Sequence, residues 1–160
     1  MRVNAMKLSL IVPCYNEAEN VAEFQDAVIS AFDGCGYDYE IVFVDDGSKD
    51  ATLHNLRKLH GAQRCPVKVI SFSRNFGKEA GLYAGLQHAC GEYISLIDAD
   101  LQQRPEIVRD MVDILDKETQ YDVIAAYQDR RSEGKLLSFF KKRFYAIIHK
   151  LSTVQLQSDA

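Results

Sequence analysis

The segment Glu40-Ile-Val-Phe-Val44, followed directly by Asp45-Asp46-Gly47-Ser48, shows the pattern that decides the fold of this 160-residue chain. Its first part is apolar and rich in β-branched and aromatic residues, which favours a strand buried on both faces. Its second part consists of residues that form turns and end strands. Four other apolar runs bounded by turn residues repeat the pattern, at residues 8–12, 67–72, 93–97 and 122–126.

Helical spacing lies between these predicted strands. Val21, Phe24, Val28 and Phe32 recur every three or four residues, which is the period of one helix face. A similar pattern follows Pro105, a residue suited to the first turn of a helix. The alternation of strand and helix predicts an α/β fold of three layers, with a mostly parallel central sheet covered by helices on both faces. Ligands of such sheets bind beyond the carboxyl ends of the strands.

The composition fits one globular domain and argues against several functions. With 47% apolar residues the chain can build one sizeable core, and its net charge of −4 does not suit a nucleic-acid binder. The four cysteines form no C-x-x-C pair, which disfavours zinc and suits a reduced setting. No G-x-G-x-x-G, P-loop or G-x-S-x-G motif supports a dinucleotide enzyme, an NTPase or a hydrolase. No apolar run approaches the roughly 18 residues of a membrane span, so the chain as given is expected to be soluble.

Asp98-Ala99-Asp100 follows the fourth predicted strand and is the predicted catalytic centre. Residues two apart in a strand point to the same side, so the two carboxylates converge and repel each other unless a cation lies between them. Mg²⁺ or Mn²⁺ bound to a diphosphate satisfies both carboxylates. Gln102 adds an oxygen ligand if the extended geometry continues. Asp98, Asp100 and Gln102 are therefore the predicted metal ligands.

The other strand ends are also polar, and their roles stay open at this point. Asp45 and Asp46 suit either turn and helix-cap chemistry or a hydrogen bond from a nucleobase or ribose. Arg74 and Lys78 follow the third strand. Two interpretations stay open for them: contact with a diphosphate, or ordinary solvated charges. Gly81 in the next helix predicts close packing against a neighbour.

Four motifs occur in order along the chain: V-P-C-Y-N-E, V-D-D-G-S-K-D, S-R-N-F-G-K and D-A-D-L-Q. Together they resemble family 2 glycosyltransferases of the GT-A (Rossmann-like) type, and most closely the polyprenyl-phosphate branch of bactoprenol glucosyltransferases and dolichol-phosphate mannose synthases. The resemblance implies inverting transfer of a sugar from a nucleotide sugar, UDP-glucose or a similar donor, to a polyprenyl phosphate. It also implies a membrane-associated protein of cell-wall biogenesis that works at the cytoplasmic face.

The resemblance assigns roles to individual residues. The nucleotide-binding set is Pro13, Tyr15, Asn16, Glu17, Asp45, Asp46, Lys78 and Asp98. Arg130 and Arg131 correspond to a loop that contacts the donor phosphates and the acceptor. The implied partners are the nucleotide-sugar donor, the lipid phosphate and a membrane surface, with no nucleic acid.

Residues 1–160 are expected to be an incomplete GT-A domain, truncated at the C-terminus, that binds donor but lacks acceptor-binding parts needed for turnover. Residues 135–151 have an apolar face and five basic residues, which predicts either a membrane-interface helix or an ordinary core-facing helix. If its apolar face is uncovered, self-association follows. Three alternatives stay open: a family 2 transferase acting on a glycan hydroxyl, a non-catalytic donor-binding domain, and, on fold grounds alone, a nucleotidyltransferase.

Overall fold

The computed structural model describes residues 7–118 and 120–126. Strands and helices alternate along the chain: β1 (Leu8–Cys14), α1 (Val21–Ala31), β2 (Tyr39–Asp45), α2 (Thr52–Ala62), β3 (Val67–Ser71), α3 (Lys78–His88), β4 (Tyr93–Leu96) and α4 (Pro105–Lys117). The strands form one parallel sheet in the order β3-β2-β1-β4. The predicted α/β fold with a parallel sheet is confirmed.

Helices cover both faces of this sheet. Leu10 and Val12 of β1 belong to the apolar core formed with α1, α2 and α4. Ile11 points to the opposite face, where a Cβ atom on Gly85 of α3 would overlap its side chain. Because side chains alternate along a strand, α3 lies on one face and the other three helices lie on the other. The predicted tight packing of α3 is explained by Gly81 and Gly85, which face the sheet.

The predicted fifth strand at residues 122–126 is wrong. These residues have no regular secondary structure, and the side chain of Val123 is 80% exposed. A strand needs a hydrogen-bonded neighbour, and none of the four strands among the described residues pairs with this segment. The chain separates into two units, Met1–Asp122 and Val123–Ala160, and all eight elements lie in the first. In the part of the chain that is described, no helix is long and apolar enough to cross a membrane.

A buried polar cluster ties the turn after α3 to the sheet. Ser9 Oγ donates to Glu40 Oε1 at 2.7 Å, and Lys68 Nζ lies 2.9 Å from Glu40 Oε2. The Cys90 N–H donates to Glu40 Oε1 at 2.9 Å, and the Gly91 N–H donates to Ser9 Oγ at 2.8 Å. These bonds fix the start of β4 against β1. The position of β4 in turn determines where the segment with Asp98 begins.

This cluster predicts a pH dependence of stability. Burial alone raises the pKa of Glu40, but hydrogen bonds from Lys68, Ser9 and the Cys90 N–H outweigh it and hold the pKa below its ordinary value. A carboxylate with a lowered folded-state pKa stabilises the fold above its unfolded-state pKa, and this stabilisation is lost as the pH falls through the folded-state pKa. We therefore expect the free energy of unfolding to fall below about pH 4.

The variant Glu40→Gln tests this origin of the acid sensitivity. It should lose about 1–3 kcal/mol at pH 7, because Lys68 loses its charged partner, and it should lose less than wild type between pH 5 and pH 3. Urea unfolding across that range measures both effects. Glu23→Gln, on the exposed face of α1, is the matched control. Equal acid sensitivity of Glu40→Gln and wild type would show that the cluster does not carry the effect.

Candidate functional site

The carboxyl ends of β1, β2 and β4 lie side by side at one edge of the sheet. Cys14, the last residue of β1, pairs in register with Asp45, the last residue of β2. The Ile97 N–H donates to the Ile11 carbonyl at 3.1 Å, so the chain reaches Asp98 just beyond that edge. The parallel topology therefore places the polar strand ends together, where ligands of α/β sheets bind.

Three carboxylates at the carboxyl edge of the sheet influence the buried Cys14 at the end of β1. Burial raises the pKa of the Cys14 thiol, and the negative charges of Glu17, Asp45 and Asp98 raise it further. The three carboxylates come from three separate parts of the chain: the segment after β1, the end of β2 and the segment after β4. The structure thus brings together three of the residues that the sequence predicts for the site.

A shallow depression of about 250 Å³ opens beside Asp98. Residues from β1, α3, β4 and the segment after β4 line it: Pro13, Lys78, Leu82, Leu96, Ile97, Asp98 and Gln103. Pro13, Lys78 and Asp98 are predicted site residues. Gln103 is one that sequence reasoning missed, although its position directly after the D-A-D-L-Q motif was a signal.

Lys78 and Asp98 form an ion pair across this depression. Lys78 Nζ lies 2.7 Å from Asp98 Oδ1, and the side chains are 57% and 37% exposed, respectively. Lys78 is the first residue of α3, so its position depends on where that helix begins. Asp98 therefore already interacts with a cation, as its place beside other carboxylates requires.

Asp100 and Gln102 lie beyond the strand, in a turn. β4 ends at Leu96, and Leu101 has a φ of 59°, so the extended geometry assumed for Gln102 is wrong. The Asp100 carboxylate accepts the Gln102 N–H at 3.1 Å, which stabilises the turn. Ala99 is buried, while Asp98 and Asp100 on either side of it are more exposed. The alternation of buried and exposed side chains that an extended chain shows therefore continues only as far as Asp100.

Asp45 and Asp46 are both buried and both fully engaged by the chain itself. Asp45 accepts the Ser48 N–H and the Ser71 hydroxyl, each at 3.1 Å. Asp46 accepts the Phe76 N–H at 2.7 Å and the Gly77 N–H at 2.9 Å with its two oxygens. Of the two interpretations of these aspartates, the geometry supports turn chemistry, with the Asp46 bonds lying just before α3. A nucleobase or ribose contact stays a prediction.

Asp46 therefore connects the end of β2 to the start of α3. Its two oxygens hold the N–H groups of the two residues directly before α3, Phe76 and Gly77. Gly47 reinforces this connection, because its Cα lies against the backbone of Arg74 so closely that a Cβ would be 2.6 Å from the Arg74 Cα. These two contacts determine where Lys78 enters the site.

Replacing Asp46 by asparagine is expected to lower the free energy of unfolding by about 1–3 kcal/mol, because an NH₂ group then faces one of the two backbone N–H groups and leaves it unpaired. Urea unfolding measures the loss. Asp110→Asn, on the exposed face of α4, is the control and should stay within about 0.5 kcal/mol of wild type. An Asp46→Asn protein as stable as wild type would show that these two bonds do not hold the segment before α3.

The segment after β1 is held by the segment after β2. The Asn16 N–H donates to Ser48 Oγ at 2.9 Å, and Asn16 Oδ1 accepts the Lys49 N–H at 2.9 Å. The Glu17 N–H donates to Thr52 Oγ1 at 2.8 Å. Ser48 and Thr52 are positioning residues that sequence reasoning did not single out. Their signal was the run of cap-forming residues that follows β2.

Tyr15 lies in this segment with 40% of its side chain exposed, so its ring is accessible at the sheet edge. Arg130, Arg131 and the predicted basic helix at residues 135–151 lie outside the described residues. Their roles stay predictions.

The sequence profile of Glycosyl transferase family 2 matches residues 9–157. The chain belongs to glycosyltransferase family 2. The matched region includes all four segments whose motifs carried the resemblance, and it includes the strand ends that carry Glu17, Asp45 and Asp98.

Relatives of this family 2 chain include a Bacillus subtilis protein that carries the name glycosyltransferase CsbB, which is 39% identical over 151 residues and matches 94% of this chain and 45% of its own length. The bactoprenol glucosyl transferase of Shigella phage SfV is 38% identical over 155 residues, 96% of this chain and 50% of its own length. The dodecaprenyl-phosphate galacturonate synthase of Rhizobium johnstonii is 35% identical over 135 residues, 84% and 40% of the two chains. The family 2 chain therefore spans about half the length of these relatives.

Solved structures of glycosyltransferases share the fold. Residues 1–349 of TarS from S. aureus superpose with a TM-score of 0.65 at 25% identity, over 81% of this chain and 39% of that one. The mannosyltransferase PcManGT from Pyrobaculum calidifontis, in complex with GDP-Man and Mn²⁺, has a TM-score of 0.64 at 26% identity, over 91% and 39% of the two chains. The family 2 chain has the α/β GT-A fold that the resemblance implied.

Proposed function

We propose that this chain is the donor-binding part of an inverting, metal-dependent glycosyltransferase that transfers a sugar from a nucleotide sugar to a polyprenyl phosphate. The observation that carries the proposal is the position of Asp98, which follows β4 at the carboxyl edge of the sheet and forms an ion pair with Lys78. UDP-glucose or a similar UDP-sugar is the proposed donor. The names of the bactoprenol glucosyl transferase and the dodecaprenyl-phosphate galacturonate synthase support the acceptor class.

The oxygen atoms at this edge fit a divalent ion shared with a diphosphate. Asp98 and Asp100 are hard oxygen donors. Gln102 stays a proposed neutral donor, although the turn at Leu101 takes it out of the extended row of Asp98 and Asp100. Within the described residues, no group of three or more His, Cys, Asp and Glu side chains forms a metal site. Two carboxylates and an amide leave room for water and phosphate oxygens, which Mg²⁺ and Mn²⁺ accept. When bound, the ion supplies positive charge opposite the departing diphosphate. The Mn²⁺ bound by PcManGT supports this cofactor class.

The proposed nucleoside pocket lies on the segment after β1. Tyr15 offers an accessible ring for the base, and Asn16 and Glu17 are held beside it by bonds to the segment after β2. Lys78 is the proposed contact for the diphosphate, because its ammonium lies beside Asp98 at the same edge. The complexes of TarS with UDP and with UDP-GlcNAc support a nucleotide-sugar donor for this fold.

The proposed acceptor needs no strong protein base. A phosphate monoester has a second pKa of about 6, so its oxygen is already ionised at neutral pH. One in-line displacement forms the bond from this oxygen to the anomeric carbon, breaks the bond to the diphosphate and inverts the configuration. The chain's task is then to orient the donor and to neutralise phosphate charge. Arg130 and Arg131 are the proposed loop residues that contact the phosphates, and the proposed location of the reaction is the cytoplasmic face of the membrane.

The proposal is tested by sugar transfer with the protein expressed from its complete reading frame. Radiolabelled UDP-glucose, UDP-GlcNAc and GDP-mannose are each offered with undecaprenyl phosphate and Mn²⁺. We expect one donor to yield an organic-extractable product that requires both the lipid phosphate and the metal. Label transferred to a glycan instead would favour the hydroxyl-acceptor alternative, and nucleotide binding without transfer or donor hydrolysis would favour a non-catalytic domain.

A further inference from the structure

Lys78 contacts the carboxylate that the proposed function assigns to a divalent ion. Its Nζ lies 2.7 Å from Asp98 Oδ1, which is an ion-pair distance. A second cation on the same carboxylate is repelled by the ammonium, and it must compete for the same oxygen lone pairs. Asp98 therefore has two competing partners, and one of them belongs to the chain.

The backbone before Lys78 is fixed, while its side chain is not enclosed. Asp46 accepts the N–H groups of Phe76 and Gly77, the two residues directly before the lysine. The Lys78 side chain is 57% exposed and lines the depression beside Asp98. A lysine has a flexible four-carbon stem, so its ammonium can exchange one partner for another while the helix start stays in place.

We infer that Lys78 is an internal counterion that weakens divalent-ion binding to Asp98 until a nucleoside diphosphate draws the ammonium onto its phosphates. This inference rests on the proposed function. A diphosphate offers Lys78 more negative charge than one carboxylate does, and it also adds oxygen ligands for the ion. Nucleotide and ion then bind cooperatively, and each raises the affinity for the other by the same factor. The consequence is a site that collects the ion together with the donor.

Mn²⁺ binding without nucleotide, measured by EPR of the free ion, tests the competition directly. Lys78→Met is expected to bind Mn²⁺ about three- to fivefold more tightly than wild type, the effect of removing a half-exposed ion pair. Lys78→Arg keeps the positive charge and is expected to bind Mn²⁺ as wild type does. Lys58→Met, on the exposed face of α2, is the matched control and should cause no change. Thermal unfolding verifies that each variant is folded.

Addition of UDP, and of GDP in parallel, measures the coupling. The better nucleotide is expected to tighten Mn²⁺ binding to the wild-type protein about a hundredfold. The same nucleotide is expected to tighten Mn²⁺ binding to Lys78→Met about thirtyfold or less. Unchanged Mn²⁺ affinity of Lys78→Met without nucleotide overturns the inference, as does equal tightening in the Met and Arg variants. Failure of the proposed function has a different signature: neither UDP nor GDP binds wild type with Mn²⁺, while the nucleotide-free comparison still decides whether Lys78 competes.

Discussion

Replacing Asp98 by asparagine is expected to weaken Mn²⁺-dependent UDP binding by about thirtyfold or more. The substitution removes one negative charge from the sheet edge and, with it, a proposed metal ligand. Loss of an interaction with a charged group costs about 2–3 kcal/mol, which is a factor of about 30 to 150 in affinity. The Asp98 side chain is 37% exposed and forms one ion pair, with Lys78, at the surface. The substitution should therefore change the fold little. Calorimetric titration of UDP measures the affinity.

Asp110→Asn is the matched control for this loss, since it makes the same chemical change on the exposed face of α4. It should bind UDP as wild type does. Equal UDP affinity of Asp98→Asn and wild type in the presence of Mn²⁺ would remove Asp98 from the site. A loss that also appears without metal would assign Asp98 to the nucleotide rather than to the ion.

Replacing Gly47 by alanine is expected to lower the free energy of unfolding by about 2–4 kcal/mol. Gly47 has a φ of 67°, a conformation that costs a non-glycine residue about 1–2 kcal/mol. A Cβ there would also lie 2.6 Å from the Arg74 Cα and 2.8 Å from the Arg74 carbonyl oxygen. Both are backbone atoms, so the segment that leads to Lys78 must shift. UDP binding should therefore weaken along with stability.

Gly34 separates the two costs, because it has the same φ of 67° but, among the described residues, a Cβ there meets no heavy atom within 4 Å. Gly34→Ala should lose about 1–2 kcal/mol from the backbone conformation alone, and it should keep UDP affinity. Urea unfolding measures the free energy of unfolding of both variants, and the difference between their losses is the cost of the contact with Arg74. Equal losses in the two variants would show that the segments after β2 and β3 are not locked together.

Much of the fold followed from local patterns. Four of the five predicted strands are present, and their bounds differ from the prediction by at most two residues, because buried parallel strands have a strong apolar signature. The fifth failed because residues 122–126 carry the same signature but no strand partner among the described residues. Whether a strand finds a hydrogen-bonded neighbour depends on the rest of the molecule, and an apolar run of five residues does not predict it.

The site was predictable in position but not in detail. Parallel topology is enough to place the segments after β1, β2 and β4 at one edge, and the effect of Glu17, Asp45 and Asp98 on Cys14 agrees with this placement. The role of Asp46 in holding the segment before α3 depends on the Phe76 and Gly77 N–H groups, which are distant in sequence. Cap and ligand chemistry require the same residue types, so the sequence left both interpretations open.

The segment after β4 shows the limit of periodicity as a guide. Alternation along an extended chain predicted that Gln102 joins Asp98 and Asp100 on one side. The positive φ of Leu101 and the bond from the Gln102 N–H to Asp100 turn the chain before that point. A leucine rarely adopts a positive φ, so the residue type at position 101 did not predict this turn. Gln103, the next residue, lines the depression instead.

The central claim is that this sheet edge binds a nucleoside diphosphate through a divalent ion. Calorimetric titration of UDP and of GDP into wild type and Asp100→Ala, each with Mn²⁺ and again with EDTA, tests it most directly. We predict that one nucleotide binds wild type about a hundredfold more tightly with Mn²⁺ than with EDTA, and that Asp100→Ala loses about tenfold or more in affinity with Mn²⁺. Equal binding with Mn²⁺ and with EDTA, or undiminished binding by Asp100→Ala, would contradict the account.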